Sequence, residues 1–422
     1  MHLIKPISVK NTLRPLAFIG IWATLVLACE QDQKQELKPG TWRAEFAVED
    51  EKIPFNFEVK EEKGKGQEVY LLNADERVLL QDIKVQKDSI LIPIEFFDAF
   101  LIGKTDGETF NGFLRKNTGS HRGVPFQATY GETHRFETDG NEPAANLSGK
   151  WDVEILSEGS EANKTVGLFR QQGKKLTGTI MTTTGDYRYF EGITDGNQFF
   201  LSAFSGSSPK LIKGTITDSL NFTAELISTG GKSTLKAVKN AKAALPDAYA
   251  LTFLKEGNDQ LDFTFPDLNA RPVSLRDDKY KNKVVVVTIL GSWCPNCMDE
   301  NAFLAPWYKE NKTRGVEIIG LAFERKDEFD FAKEKLTRFV KRYGIEYDIL
   351  FAGKADKKLA AEKLPQLNEV LSFPTTILID KQGKVRKIHT GFTGPATGAY
   401  YTEFVKQFNN DIDELLSEEK TI

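Results

Sequence analysis

The most constraining segment of the chain is Val284-Val-Val-Val-Thr-Ile-Leu290, followed at once by Gly291-Ser-Trp-Cys294-Pro-Asn-Cys297. A β-rich run with no polar alternation fits a strand covered on both faces, the arrangement of an α/β layer with helices packed above and below the sheet. The Cys-x-x-Cys that follows falls at the junction of this strand and a helix. Cys294 is thereby placed at a helix N-terminus, where free backbone N–H groups and the helix dipole favour a thiolate. Cys297 falls about one turn inward, within reach of Cys294 for intramolecular exchange. The spacing thus marks Cys294 as the nucleophile and Cys297 as the resolving thiol. A zinc half-site would need two more ligands, and the rest of the 422 residues offers Cys29 and four scattered histidines. A purely structural disulfide is the remaining alternative.

The flanking pattern extends the α/β reading. Residues 263–275 read as a hairpin, Val316-Glu-Ile-Ile-Gly-Leu-Ala322 as a second buried strand, and 327–343 as an amphipathic helix with apolar residues every three or four positions. Thr376-Ile-Leu-Ile-Asp380, a Lys-Gln-Gly turn, a strand over 384–389 and a closing helix from about Ala399 to Leu416 follow. Trp293-Cys294-Pro-Asn-Cys297 after a valine-rich strand, with Phe373-Pro374-Thr375-Thr376 before another, resembles the thioredoxin fold. The likeness is to the TlpA/ResA-like extracytoplasmic thiol–disulfide oxidoreductases of the AhpC/TSA-redoxin superfamily, and it covers about residues 258–416.

The resemblance implies that Pro374 is cis and faces the cysteines, and that the backbone at Phe373 pairs with a substrate peptide. Trp293, Pro295, Asn296 and Thr375 would complete the substrate-contacting set. Glu300 matches a glutamate beneath the cysteine pair that, if buried, exchanges a proton with the thiols; the alternative is a solvated helix residue. No cofactor is implied beyond the Cys294–Cys297 disulfide itself. Two departures stand out. Pro-Asn matches neither the Gly-Pro of thioredoxin nor the Pro-His of DsbA, so the choice between reductant and oxidant stays open, across a range of about −270 to −120 mV. Cys297 and Pro374 are 77 positions apart, which points to added structure over 351–365. A peroxidase of peroxiredoxin type would place Thr or Ser three residues before the reactive cysteine and Pro four before that; Gly291 and Val287 stand there instead.

Upstream, the periodicity changes. From Gly40 to about residue 240 apolar and polar residues alternate between frequent Gly, Asn and Asp, giving short strands joined by turns. Gly40-Thr-Trp42 recurs as Gly149-Lys-Trp151, Leu101-Ile102 as Leu211-Ile212, and Asn111 as Asn221, at a constant offset of 109 or 110 residues. The expected fold class is therefore multidomain: a duplicated all-β module, barrel or sandwich, ahead of an α/β thioredoxin-like domain. Gly-x-Trp opening a meander resembles lipocalin-type barrels, which would allow a ligand-binding module; core tryptophans at strand starts are the plainer reading. His121 and His134 read as surface residues. Residues 236–257 change to helical spacing with a Gly stop and are expected to form a helical linker.

The first 28 residues combine Lys5, Lys10 and Arg14, no acid, and an apolar run from Leu16 to Ala28. That run is shorter than the ~20 residues that span a bilayer, and the whole has the form of an export signal. Val26-Leu-Ala-Cys29 resembles the bacterial lipoprotein signal, which implies a lipid on Cys29 and a tether over 29–39. The expected order is then signal 1–28, tether 29–39, β unit 40–145, β unit 146–235, linker 236–257 and redox domain 258–418. With a formal charge of −4 before three cations leave with the signal, nucleic-acid binding is not expected. The expected setting is the bacterial cell envelope, lipid-anchored and facing the periplasm, with disulfide-containing exported proteins and a membrane thiol donor as partners.

Overall fold

The computed structural model describes residues 36–62, 66–117 and 123–418. The signal, Cys29 and His121 lie outside them. Among the described residues no helix is long and apolar enough to cross a membrane.

The alternation from Gly40 to about residue 240 becomes two antiparallel sheets of nine strands each. In Gly40–Val48 the alternate residues Trp42, Ala44, Phe46 and Val48 are buried, and Gly149–Ser157 repeats this with Trp151, Val153 and Ile155. The sequence repeat is a structural one. Trp42 Nε1 donates to Lys38 O at 2.9 Å and Trp151 Nε1 to Leu147 O at 2.8 Å, the same bond four residues back. Asn111 and Asn221 sit in the corresponding strands Thr109–Lys116 and Asn221–Ser228.

The two units differ in closure. In the second, Asn163–Gln172 pairs with Lys175–Thr182, so eight of its nine strands form a ring, with the two-residue strand Gly185–Asp186 added outside. In the first, Glu76–Leu80 and Lys84–Gln86 remain the two edges. Both interiors hold aromatic side chains: Phe46, Phe55, Phe57, Phe110 and Phe126 in one, Trp151, Phe190, Phe199 and Phe222 in the other. Phe204, from the second unit, lies in the core of the first with its ring 4.7 Å from Phe46 and 5.0 Å from Phe55. Asn73 clasps its backbone through both amide atoms. Arg135, in the connection, is buried between the units and donates to Ser202 Oγ at 3.2 Å.

The expected helical linker is not a helix. Residues 236–239 complete the strand Gly231–Lys239, whose Leu235 and Ala237 point into the second core, and turns follow over 241–251. The Lys-Ala-Val-Lys alternation is read by the neighbouring strands Gly149–Ser157 and Asn221–Ser228, and ladder pairing on both sides overrides helix propensity.

The C-terminal region is an α/β layer. Its sheet has Val284–Leu290 at the centre, parallel to Val316–Glu324 and antiparallel to Thr375–Ile379, with Asp348–Lys354 and Val385–Thr390 at the edges. Helices Pro295–Asn311, Phe329–Tyr343 and Ala399–Ser417 cover it. The stretch 351–365 is in part the edge strand itself, because Ile349 to Ala352 is apolar on both faces, and in part the short helix Lys357–Lys363. Helix Phe329–Tyr343 docks on the open β unit: Lys335 pairs with Asp98 at 2.7 Å, Arg338 with Glu95 at 3.2 Å, and Arg342 bonds Leu79 O.

Candidate active site

Strand Val284–Leu290 ends in a tight turn that delivers Cys294 to the N-cap of helix Pro295–Asn311, with Pro295 at its first position. Cys294 Sγ accepts the Cys297 N–H at 3.3 Å and lies 3.2 Å from Phe373 O, which receives the thiol hydrogen. The Phe373–Pro374 bond is cis. Trp293 sits beside this contact, its ring 5.7 Å from Phe373 and its Nε1 donating to Phe323 O. Pro295 and Asn296 are half-buried; Thr375 turns inward and bonds Ser372 O at 2.9 Å. The structure therefore brings Trp293, Cys294, Cys297, Phe373 and Pro374 together, while the Thr375 side chain faces the interior.

Cys294 is 5% exposed and Cys297 is fully enclosed. Burial, and after it the hydrogen bond and charge of Cys294, push the Cys297 thiol well above its ordinary range. Glu300, one turn further along the helix, is also buried, 1% exposed. Its carboxylate accepts hydroxyl bonds from Thr288 and Thr376, which face each other across the two central strands. Desolvation raises Glu300 to about 7 despite these bonds. Near neutral pH this carboxyl can either hold or release a proton beside a thiol that needs help to ionise.

Three further groups were not legible beforehand. Glu324 ends strand Val316–Glu324, accepts from Ser292 N at 2.8 Å and Ser292 Oγ at 2.9 Å, and is raised to about 7 by burial. A charged residue closing the unbroken apolar run Ile318–Phe323 is the signal that would have found it. Asp299, largely enclosed, is pushed up to about 7 by burial, with Arg188 opposing the shift. Arg188 itself comes from the second β unit. It pairs with Asp299 at 3.0 Å and Glu76 at 2.6 Å, and donates to Pro295 O between the cysteines at 3.1 Å. Nothing local in the sequence points to it, since its partners lie in two distant segments, at Glu76 and over 295–299. A cavity of about 560 Å³ also opens where the first β unit meets the redox domain, running from Leu80 and Phe96 past Lys335 and Arg342 to Ser292.

A buried cysteine pair at a helix N-terminus, a cis-proline opposite, and a buried carboxylate beneath define a thiol–disulfide oxidoreductase of thioredoxin fold. The AhpC/TSA family model matches residues 257–388, leaving the two β units outside the match. Thiol-disulfide oxidoreductase ResA of Bacillus subtilis is 30% identical over 33% of this chain and 69% of its own. ResA of Geobacillus thermodenitrificans is 32% identical over 33% of this chain and 72% of its own. A solved thiol-disulfide oxidoreductase from Bacteroides fragilis is 20% identical, covering 36% of this chain and 99% of that one at a TM-score of 0.28. The chain belongs to the ResA-like family of thiol–disulfide oxidoreductases.

Proposed function

We propose that the protein is a membrane-anchored reductant or exchanger of disulfides in exported proteins, working through Cys294 and Cys297 with no other cofactor. The Cys294 thiolate attacks one sulfur of a client disulfide, forming a mixed disulfide and releasing the first client thiolate. Cys297 passes its proton to ionised Glu300 and attacks Cys294 Sγ. That closes the Cys294–Cys297 disulfide, releases the second client thiolate, and leaves the client reduced by two electrons. A membrane thiol donor then returns the pair to the dithiol. The observation that carries this reading is the placement of Cys294 Sγ between the Cys297 N–H and the Phe373 carbonyl. Phe373, Pro374, Trp293, Pro295 and Asn296 would contact the client. A peroxidase reading has less support, because Gly291 stands where a peroxide-orienting hydroxyl would be needed.

Anchoring through Cys29 and an envelope location rest on the sequence of the first 29 residues. Lipid labelling of the parent and its absence in Cys29→Ser would establish the anchor; equal labelling would dismiss it. For the chemistry, Cys297→Ala should hold clients as stable mixed disulfides on Cys294. Recovery of no cysteine-containing client from envelope extracts would overturn a protein substrate.

A further inference from the structure

Disulfide exchange requires the incoming sulfur pair to approach Sγ along the axis of the breaking bond, so the surroundings of Cys294 decide what can react. Three segments of the redox domain meet here: 291–296 and 372–374 at the sulfur, and 391–394, whose Gly391 N donates to Pro374 O at 3.0 Å. Across them lies a part of the other region, residues 182–188 of the second β unit, which turn between Lys175–Thr182 and Gly185–Asp186. This hairpin touches all three loops. Arg188 donates to Pro295 O at 3.1 Å, Ser372 Oγ donates to Thr184 O at 3.0 Å, and Gly394 N donates to Asp186 Oδ2 at 2.7 Å. Gly185 approaches Asn296 so closely, at φ +142°, that a Cβ there would lie 1.7 Å from Asn296 Nδ2. Gly391 is also close, with a Cβ meeting the Thr184 backbone at 2.9 Å.

We infer that residues 182–188 form a cover over the redox site, latched by Arg188, which selects among disulfides by size: small ones reach Cys294 directly, polypeptide ones only after the hairpin lifts. The inference rests on the redox reading above and adds what governs access to it. The hairpin is built to release. Two cross-strand pairs, Met181 with Asp186 and Thr182 with Gly185, close the hairpin, and at its base Tyr187 stays with the barrel, its N–H donating to Ile180 O at 3.0 Å and its ring against the second core, so the tip lifts about that base. Its tip, Thr182 to Thr184, is polar, so lifting exposes hydrogen-bonding groups that water can satisfy rather than apolar surface. Beneath it Asn296 Oδ1 is buried without a hydrogen-bond partner, a cost that opening removes. Arg188 is the strongest tie, since its bonds to Asp299 and Glu76 are charge-assisted and sheltered.

The test compares the reduced parent, Arg188→Ala and Gly185→Val in reaction with hydroxyethyl disulfide, a small probe, and with insulin, a polypeptide one. Losing the latch removes two charge-assisted bonds, and the ratio of the insulin rate to the small-disulfide rate should rise about tenfold or more. Gly185→Val should move the ratio the same way without touching the ion pairs. Amide exchange over 180–190 gives an independent reading on the full chain: in Cys297→Ala trapped with an insulin-derived peptide, protection there should fall. An unchanged ratio in both variants with unchanged exchange on trapping would overturn the cover. Slower insulin reaction in both variants would overturn it too, and would make the hairpin a client-binding wall. If the parent reacts with neither disulfide, the redox reading itself falls and the cover falls with it.

Discussion

The redox site has two sides of different origin. Its inner side, Cys294, Cys297, Glu300 and Phe373, is assembled within the α/β region from the ends of adjoining central strands and one helix. Its outer side, Arg188, Asp186 and Gly185, is delivered by a β unit more than 100 residues upstream. In the proposed mechanism the inner side supplies the sulfur chemistry and the proton. The outer side supplies nothing that reacts and touches the same turn at Pro295 and Asn296. On the inferred cover, a catalytic centre is complete in its chemistry within one domain while its accessibility belongs to another. The β module need not hold a ligand to matter, and its interiors are occupied by aromatic rings.

The sharpest way to separate the two sides is to remove the inner one. Cys294→Ser should abolish disulfide reduction in an insulin turbidity assay while leaving the fold and the Arg188 ion pairs intact, because the hydroxyl replaces the sulfur at nearly the same volume. Residual turnover at the parental rate would mean that the reacting group lies elsewhere.

The union of the regions is tested next. Phe204→Ala would empty the centre of the first unit's aromatic cluster, a change expected to cost about 3–5 kcal/mol in urea unfolding. Since that unit is closed by its neighbours rather than by its own strands, the loss should also release helix Phe329–Tyr343, seen as faster amide exchange there. A loss below about 1 kcal/mol would show that the second unit does not support the first.

Glu300 gives a smaller effect with a definite sign. Its carboxyl is raised from 4.5 to about 7 in the fold, so between these values the native state holds a proton that the unfolded chain has lost. Its contribution to stability is complete below about pH 4.5 and is lost as pH rises through 7, amounting to about 3 kcal/mol at most. Glu300→Gln should flatten this part of the stability profile and remove the inflection near pH 7 from the rate of the resolving step. Persistence of both would assign the proton to another group, Glu324 being the next buried carboxyl.

The smallest expected change probes the repeat. Trp42→Phe and Trp151→Phe each remove one indole bond to a carbonyl four residues back, and each should cost about 1 kcal/mol beyond the change in volume. Unequal losses would show that closing the ring of strands, present only in the second unit, strengthens that corner.

Much of this was legible in advance because it is local. The apolar run 284–290 and the three-residue spacing of the cysteines act within one strand and one helical turn, and the structure places them as that spacing implies. The repeat was legible for a similar reason: Gly-x-Trp marks a strand start whose tryptophan bonds its own upstream chain. Residues 236–257 misled, because helical spacing there is a weak preference and two neighbouring strands claim its first four residues.

By itself, then, the sequence determined the class of each region and the cysteine pair, since backbone preference and short-range spacing are written in consecutive residues, and the family resemblance added the candidate carboxylate Glu300. Only the tertiary structure decided that one β unit closes and the other does not, that Glu300, Glu324 and Asp299 hold protons up to about pH 7, and that Arg188 reaches Pro295. Those outcomes depend on desolvation and on contacts across 100 residues or more, and neither exists until the chain has folded.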